Sequence, residues 1–388
     1  MPAPALHYFD HNATTPLPVA AREAWLDAQD RFWFNPSSLY REAGVAKRRL
    51  EDAREAIADL CGCEPARVVF TGGATEANNA VLRRAAAATG SRKLAISAVE
   101  HPSVREPARA FAGDRLTEIP VDGHGVLDLD ALGEALARGE IGFASLVAAN
   151  NETGVLQPWR EAAALCRERG VPFHSDAAQW IGKMPPGAIG DCDWVTASAH
   201  KFGGPKGIGF LLIPSGTAQP LGIQRGGPQE GGHRAGTEDL PGIAAMVAAL
   251  NDRQLPGSAA AADRDRFEAA LLTALPGTKI VVGTAPRLAN TSMAIMPRHS
   301  NLKWVTRLGE RGFPVSTGSA CSSGKENPSH VMAAMGLTFA EMGRVLRFSA
   351  GPATTRHAWD ALLAAIHDVW QTLESGESAR PKLDLGQL

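Results

Sequence analysis

Cysteine is scarce in this chain, with five residues among 388 at irregular spacing. An odd, scattered set argues against a disulfide framework and for a reducing compartment, so a cytoplasmic protein is expected. Cys61-Gly62-Cys63 is half of a metal-binding pattern, but no second CxC or CxxC completes it, and a metal centre is not expected. Long apolar runs are missing as well. Nothing approaches the ~20 residues of a membrane span, and MPAPALHYFDHNATTPLP lacks the charged start and apolar middle of a secretory signal. Charge of one sign is never concentrated, and the formal net charge is only −2. That excludes an electrostatic footprint for nucleic acid or an anionic membrane and leaves small molecules and other proteins as partners. Internal repeats and low-complexity stretches are absent too.

What is present is an alternation. A chain of 388 residues, 44% hydrophobic, is long enough for a large domain plus a smaller one. Glu42 to Leu60 has the spacing of an amphipathic helix, and Arg67 to Phe70 reads as a strand ending at Thr71-Gly72-Gly73. The same grammar recurs at Lys93 to Ser97, Phe143 to Ala149, Val171 to His174 and Trp194 to Ala197. Each run ends in a polar cluster. This predicts an α/β fold around a mainly parallel sheet, with ligands at the carboxyl ends of the strands. The stretch 251–266, NDRQLPGSAAAADRDR, breaks the pattern. A domain junction is placed there, giving a large domain over 15–253 and a small one built from 1–14 and 254–388, with a strand at Val345 to Phe348.

The polar clusters suggest chemistry. Thr71-Gly72-Gly73-Ala74-Thr75-Glu76 opens a helix with two glycines, which lets backbone approach an anion at the helix N-terminus. Asp176 ends a buried strand, where a carboxylate needs a cationic partner. Lys201 ends another, in Ser198-Ala199-His200-Lys201-Phe202-Gly203-Gly204. The acid and the lysine form either a structural ion pair or two walls of a cofactor site, with Lys201 as a Schiff-base amine and Asp176 on a ring nitrogen. Pyridoxal 5'-phosphate needs that pair plus a phosphate cup. Further on, STGSACSSGK (316–325) sets Cys321 among small polar residues that favour a surface loop.

These segments resemble the cysteine desulfurases, the NifS/IscS-like branch of the class V (fold type I) aminotransferases. The matching stretches are YFDHNATTP (8–16), NPSSLY (35–40), FTGGATEANN (70–79), EHPSV (100–104), NNETGVLQP (150–158), HSDAAQ (174–179), SAHKFGGPKGIG (198–209), RAGTED (234–239), STGSACSSG (316–324) and RFSAG (347–351). They run in order along essentially the whole chain. The resemblance implies a large domain with a mainly parallel seven-stranded sheet between helices, and a smaller α/β domain carrying the Cys321 loop. It implies that Lys201 binds pyridoxal phosphate, Asp176 holds the ring nitrogen, and His101 stacks on the ring and moves protons. Asn151 and Gln179 would hydrogen-bond the ring hydroxyl. Ala74, Thr75, Ser198 and His200 would hold the phosphate, with Thr237 supplied by the other subunit of a homodimer. Arg347, with Asn151, would bind the substrate carboxylate. The activity implied is conversion of L-cysteine to L-alanine, with sulfur passed to Cys321 as a persulfide and then to an acceptor protein such as an iron–sulfur scaffold. His101 and Arg347 are the cations expected to favour a Cys321 thiolate. His174, Cys166 and Cys192 are assigned structural roles.

The chain departs from the family pattern at three places. Gly231 stands where relatives often carry arginine, Gly351-Pro352-Ala353-Thr354-Thr355 replaces GR-x-TT, and the end after Leu373 is short, which bears on the acceptor. Rival readings on the same scaffold are a selenocysteine lyase or cysteine-sulfinate desulfinase, a plain class V aminotransferase, and a silent pyridoxal-phosphate partner subunit.

Overall fold

The computed structural model describes residues 6–253, 255–318 and 329–376. Seven strands form the central sheet: β1 (Val68–Thr71), β2 (Lys93–Ser97), β3 (Leu116–Ile119), β4 (Ile141–Ser145), β5 (Phe173–Asp176), β6 (Trp194–Ser198) and β7 (Gly209–Leu212), in the order β1-β7-β6-β5-β4-β2-β3. β7 is antiparallel to both its neighbours; the other pairings are parallel. Every residue of β1, β4, β5, β6 and β7 is buried, as a parallel sheet covered on both faces requires. The amphipathic helices Arg41–Cys61, Ala74–Ala88, Pro102–Ala112 and Trp159–Glu168 supply that cover.

The expected elements are present, with shifted edges. The strand expected over Phe143 to Ala149 starts at Ile141, and its ladder closes at Ser145. Leu146 and Ala148 still donate to the carbonyls of His174 and Asp176 before the chain turns at Asn150 and Asn151. Two strands of the central sheet, β3 and β7, had no counterpart in the sequence reading. β3 lies half exposed at the sheet edge, and β7 follows a glycine-rich turn that hides its short apolar run.

A second core surrounds a three-stranded antiparallel sheet of β8 (Lys279–Ile280), β9 (Thr291–Ile295) and β10 (Val345–Ser349), in the order β10-β9-β8. Phe267, Trp304, Phe348 and Trp359 fill it, together with Phe9 from the far end of the chain, whose ring centre lies 4.8 Å from that of Trp359. The N-terminal segment pairs with β10, with His11 N–H donating to Ser349 O at 3.0 Å and Ser349 N–H to Phe9 O at 2.8 Å. It then crosses to the large sheet, where Thr15 N–H donates to His200 O at 2.9 Å. Residues 7–15 thus connect both cores, and the candidate site lies along that crossing. Among the described residues, no helix is long and apolar enough to cross a membrane.

Candidate active site

The carboxyl ends of β1, β5 and β6 lie on the same edge of the sheet, with antiparallel β7 between β1 and β6. After β1, Gly73 takes φ 130° and begins the helix Ala74–Ala88 with no side-chain cap. A Cβ at Gly73 would lie 3.2 Å from Ser198 Oγ, so glycine is needed both for the backbone angle and for the close approach of that hydroxyl. The result is a run of helix N-terminal N–H groups beside Ser198, a cradle suited to a phosphate. Ala74 is buried and Thr75 exposed in its first turn. His200 sits one turn past Ser198, its Nδ1 3.2 Å from Thr14 Oγ1. Burial, then the charges of Lys201, Lys206 and Lys183, push the His200 imidazole down to about 4, so it is neutral at pH 7.

At the end of β5, Asp176 is 3% exposed. Its Oδ2 accepts from Asn78 Nδ2 at 2.8 Å and its Oδ1 from the Ala178 N–H at 3.0 Å. Asn78 is oriented in turn by the Thr196 hydroxyl, which donates to its Oδ1 at 2.6 Å. Two neutral donors hold the carboxylate and leave it lone pairs for a cationic N–H.

Lys201 ends the short turn after β6, and its Nζ donates to the carbonyls of Asn12 at 2.8 Å and Ala13 at 2.9 Å. His101 begins the helix Pro102–Ala112. Its Nδ1 accepts from the Ser103 N–H at 3.1 Å, which leaves the proton of the neutral ring on Nε2. Burial lowers its pKa; Asp176 opposes this, and Lys201 and His330 add to it.

Arg347 in β10 is 1% exposed. Its Nη1 donates to Asn151 O at 2.9 Å and Gly318 O at 2.8 Å, and its Nη2 meets Asp10 Oδ1 at 2.5 Å. Nε is buried and has no hydrogen-bond partner among the described residues. The internal salt bridge and the approach to Asn151 are therefore both present. Gln179 lies on the turn after β5 and donates from Nε2 to Asn12 O at 2.9 Å. Thr237 is exposed on the loop before the helix Leu240–Asp252. Cys321 lies outside the described residues.

His174 is structural, as expected: it is fully buried between Ser145 Oγ at 2.9 Å and Thr196 Oγ1 at 3.3 Å, and burial pushes its pKa down to about 4. Three residues of this neighbourhood escaped the sequence reading as actors in their own right: Asn12, Asn78 and Lys183. Asn12 and Asn78 lie inside quoted motifs, but a lone amide carries no periodic signal. Among the described residues, no group of three or more His, Cys, Asp or Glu is placed to hold a metal.

Comparison with known proteins agrees with this geometry. Residues 7–362 match the family model Aminotransferase class-V. A cysteine desulfurase of Cereibacter sphaeroides is 38% identical over 377 residues, 95% of this chain and 96% of the relative. A solved NifS-like protein superposes with a TM-score of 0.84 at 28% identity, covering 94% of this chain and 99% of its own. SspA, solved in complex with cysteine, gives a TM-score of 0.77 at 30% identity and covers 90% of this chain and 99% of its own. A fold type I core whose strand ends carry Lys201 and Asp176, matched by a family model over most of its length, belongs to the class-V aminotransferase family.

Proposed function

We infer that the protein is a pyridoxal 5'-phosphate-dependent cysteine desulfurase, which converts L-cysteine to L-alanine and passes the sulfur through a persulfide to an acceptor protein. The observation that carries this reading is the meeting of Lys201, Asp176 and the uncapped helix N-terminus at Gly73 on one rim of the sheet. That set fits the cofactor: an amine for its aldehyde, a carboxylate for its ring nitrogen and a cradle for its phosphate. When bound, pyridoxal phosphate supplies an electron sink for the substrate Cα.

The remaining roles are proposed for this chain's own residues. Asp176 holds the ring nitrogen protonated, and Ala74, Thr75, Ser198 and His200 hold the phosphate, with Thr237 of the partner subunit completing the cradle in a homodimer. His101, its proton on Nε2, lies against the ring; Asn151 and Gln179 hold the ring oxygen. Arg347, beside Asn151, exchanges part of its bonding with Asp10 and Gly318 for the substrate carboxylate. Lys201, once released, moves the proton at Cα. The Cys321 thiolate attacks the substrate sulfur; an S–S bond forms as the Cβ–S bond breaks, and protons delivered to the carbon skeleton release L-alanine. Division into a domain over 15–253 and one of 1–14 with 254–388 is supported by the two separate cores. A cytoplasmic setting is supported by the four described cysteines, all free thiols. An iron–sulfur scaffold is the acceptor class proposed.

Lys201→Ala should abolish the visible absorbance of the lysine-bound cofactor. Cys321→Ala should keep that absorbance, still perturb it on adding L-cysteine, and release no sulfide. Normal sulfide release from the Cys321 variant would sink the persulfide route.

A further inference from the structure

Lys183 is buried where elementary electrostatics disfavours it. The residue is 8% exposed, and its charged neighbours Lys201 and Arg347 are both cationic. A lysine so placed, with amide oxygens rather than a carboxylate at its amine, has a cost that calls for a compensating role. Its Nζ donates to Asn12 Oδ1 at 2.8 Å and, over a short contact, to Gln179 Oε1.

Those two contacts decide the geometry of the site. The two ends of a glutamine carboxamide are nearly isosteric, so its direction is set by its partners. The Asn12 carbonyl can only accept, which sets Gln179 Nε2 toward Asn12 O and turns Oε1 to the donor at Lys183 Nζ. That same carbonyl accepts from Lys201 Nζ. Asn12 is held from the other side by the second core, with Nδ2 donating to Thr291 Oγ1 at 2.9 Å and its N–H to Ser349 Oγ at 3.0 Å. Flipping the Gln179 amide would set two acceptors against each other at Asn12 O and give up the bond that Lys183 donates.

We propose that Lys183 is a positioning residue: it fixes Gln179 as a hydrogen-bond donor to the cofactor's ring oxygen and, through Asn12, holds the backbone carbonyls that receive Lys201. This rests on the reading that Gln179 faces the cofactor ring. Lys183 touches neither cofactor nor substrate in this role.

The test is a double-mutant cycle on the holoenzyme with Gln179→Leu, Lys183→Met and their combination, read by the position of the cofactor's visible band and by its dissociation rate. Both single variants should shift the band in the same direction and speed cofactor loss by about tenfold, the scale of one hydrogen bond. The double variant should be no worse than Gln179→Leu. A Lys183→Met enzyme with an unmoved band and unchanged dissociation overturns the proposal, as do effects that add in full to those of Gln179→Leu. A merely structural lysine would lower the melting temperature equally in both backgrounds and leave the band alone. If Gln179→Leu is itself silent, the placement of Gln179 on the ring fails and the inference with it; if only Lys183→Met is silent, that placement stands. Should Lys183→Met not fold, Lys183→Gln, with a shorter donor, takes its place with a smaller shift expected, and an unmoved band again overturns the role.

Discussion

Gly351 shows how one absent methyl group shapes the site. A Cβ built there would lie 2.1 Å from Cε1 of the His11 ring, a ring 8% exposed and packed edge-on against Tyr8 at 4.9 Å. The ring has little room to move, and the next residue is Asn12. Gly351→Ala is therefore expected to cost about 1–3 kcal/mol through overpacking and to lower the melting temperature by several degrees. A melting curve equal to wild type would show that the ring yields freely. The cysteines give a second prediction at this scale. Burial pushes Cys61, Cys166 and Cys192 up to about 12 and raises half-buried Cys63. Thiolate is the reactive form, so alkylation of the folded protein at pH 7.5 should fall on Cys321 alone, as read by peptide mass mapping. Modification of Cys166 or Cys192 before unfolding would contradict this. The sequence had already marked both as inert, because one sits in a helix pattern and the other beside a strand start.

Edge strand β1 is protected by a device that crosses between elements. Phe70 N–H donates to Glu230 Oε2 at 2.7 Å, and Val68 O accepts from Arg54 Nη1 at 2.6 Å. Arg54 and Glu230 close the device with two bonds of 2.8 and 2.9 Å. The edge that would invite another strand is thus covered by a side-chain pair, and Glu230 takes φ 50° to reach it. Glu230→Ala strands a largely buried guanidinium and a backbone N–H, and should destabilise by about 3–5 kcal/mol in denaturant unfolding. The pair Arg54→Met with Glu230→Leu should lose less than Glu230→Ala alone; a greater loss would refute the account. No local pattern in the sequence announced this pair, whose members are separated by 176 residues. The same holds for the Asn78–Asp176 contact, across 98 residues, and Lys183–Asn12, across 171. The strands that end in polar clusters were legible because a run of apolar residues and a turn are local signals. β3 and β7 were not, one for its exposure and the other because it follows a glycine-rich turn. Roles borne by motif residues at strand ends could be read; those borne by amides and a lysine that act through distant partners could not.

For the whole molecule, the buried ionisable groups divide into two sets with opposite effects of pH on stability. His11 and His174 are pushed down to about 4 by burial, and His200 likewise, though it is only partly enclosed. Between about pH 4 and the ordinary histidine value near 6.5, the unfolded chain binds these protons and the folded chain does not. Stability therefore rises with pH across that window. Glu100 works the other way. It is completely buried, its Oε1 accepts from Val147 N–H at 2.8 Å, its Oε2 has no hydrogen-bond partner among the described residues, and burial followed by the charge of Asp176 raises its pKa to about 8. The folded chain keeps this proton up to about pH 8 while the unfolded chain releases it near 4.5, so stability falls with rising pH throughout that interval. Below 6.5 the histidines outnumber the acid and the net slope is positive. Above 6.5 they are neutral in both states; Glu100 by itself then lowers stability by about 2 kcal/mol up to pH 8, while Lys183, whose pKa burial lowers well below the ordinary lysine value, acts in the opposite direction. The cofactor-free protein should melt lower at pH 5 than at pH 6.5, and its change from pH 6.5 to pH 8 is set by Glu100 against Lys183. Glu100→Gln should gain on the wild type in melting temperature as pH rises from 6.5 to 8 and leave the acid side in place. A difference between Glu100→Gln and the wild type that stays constant from pH 6.5 to pH 8 would mean that Glu100 is ionised in the folded protein.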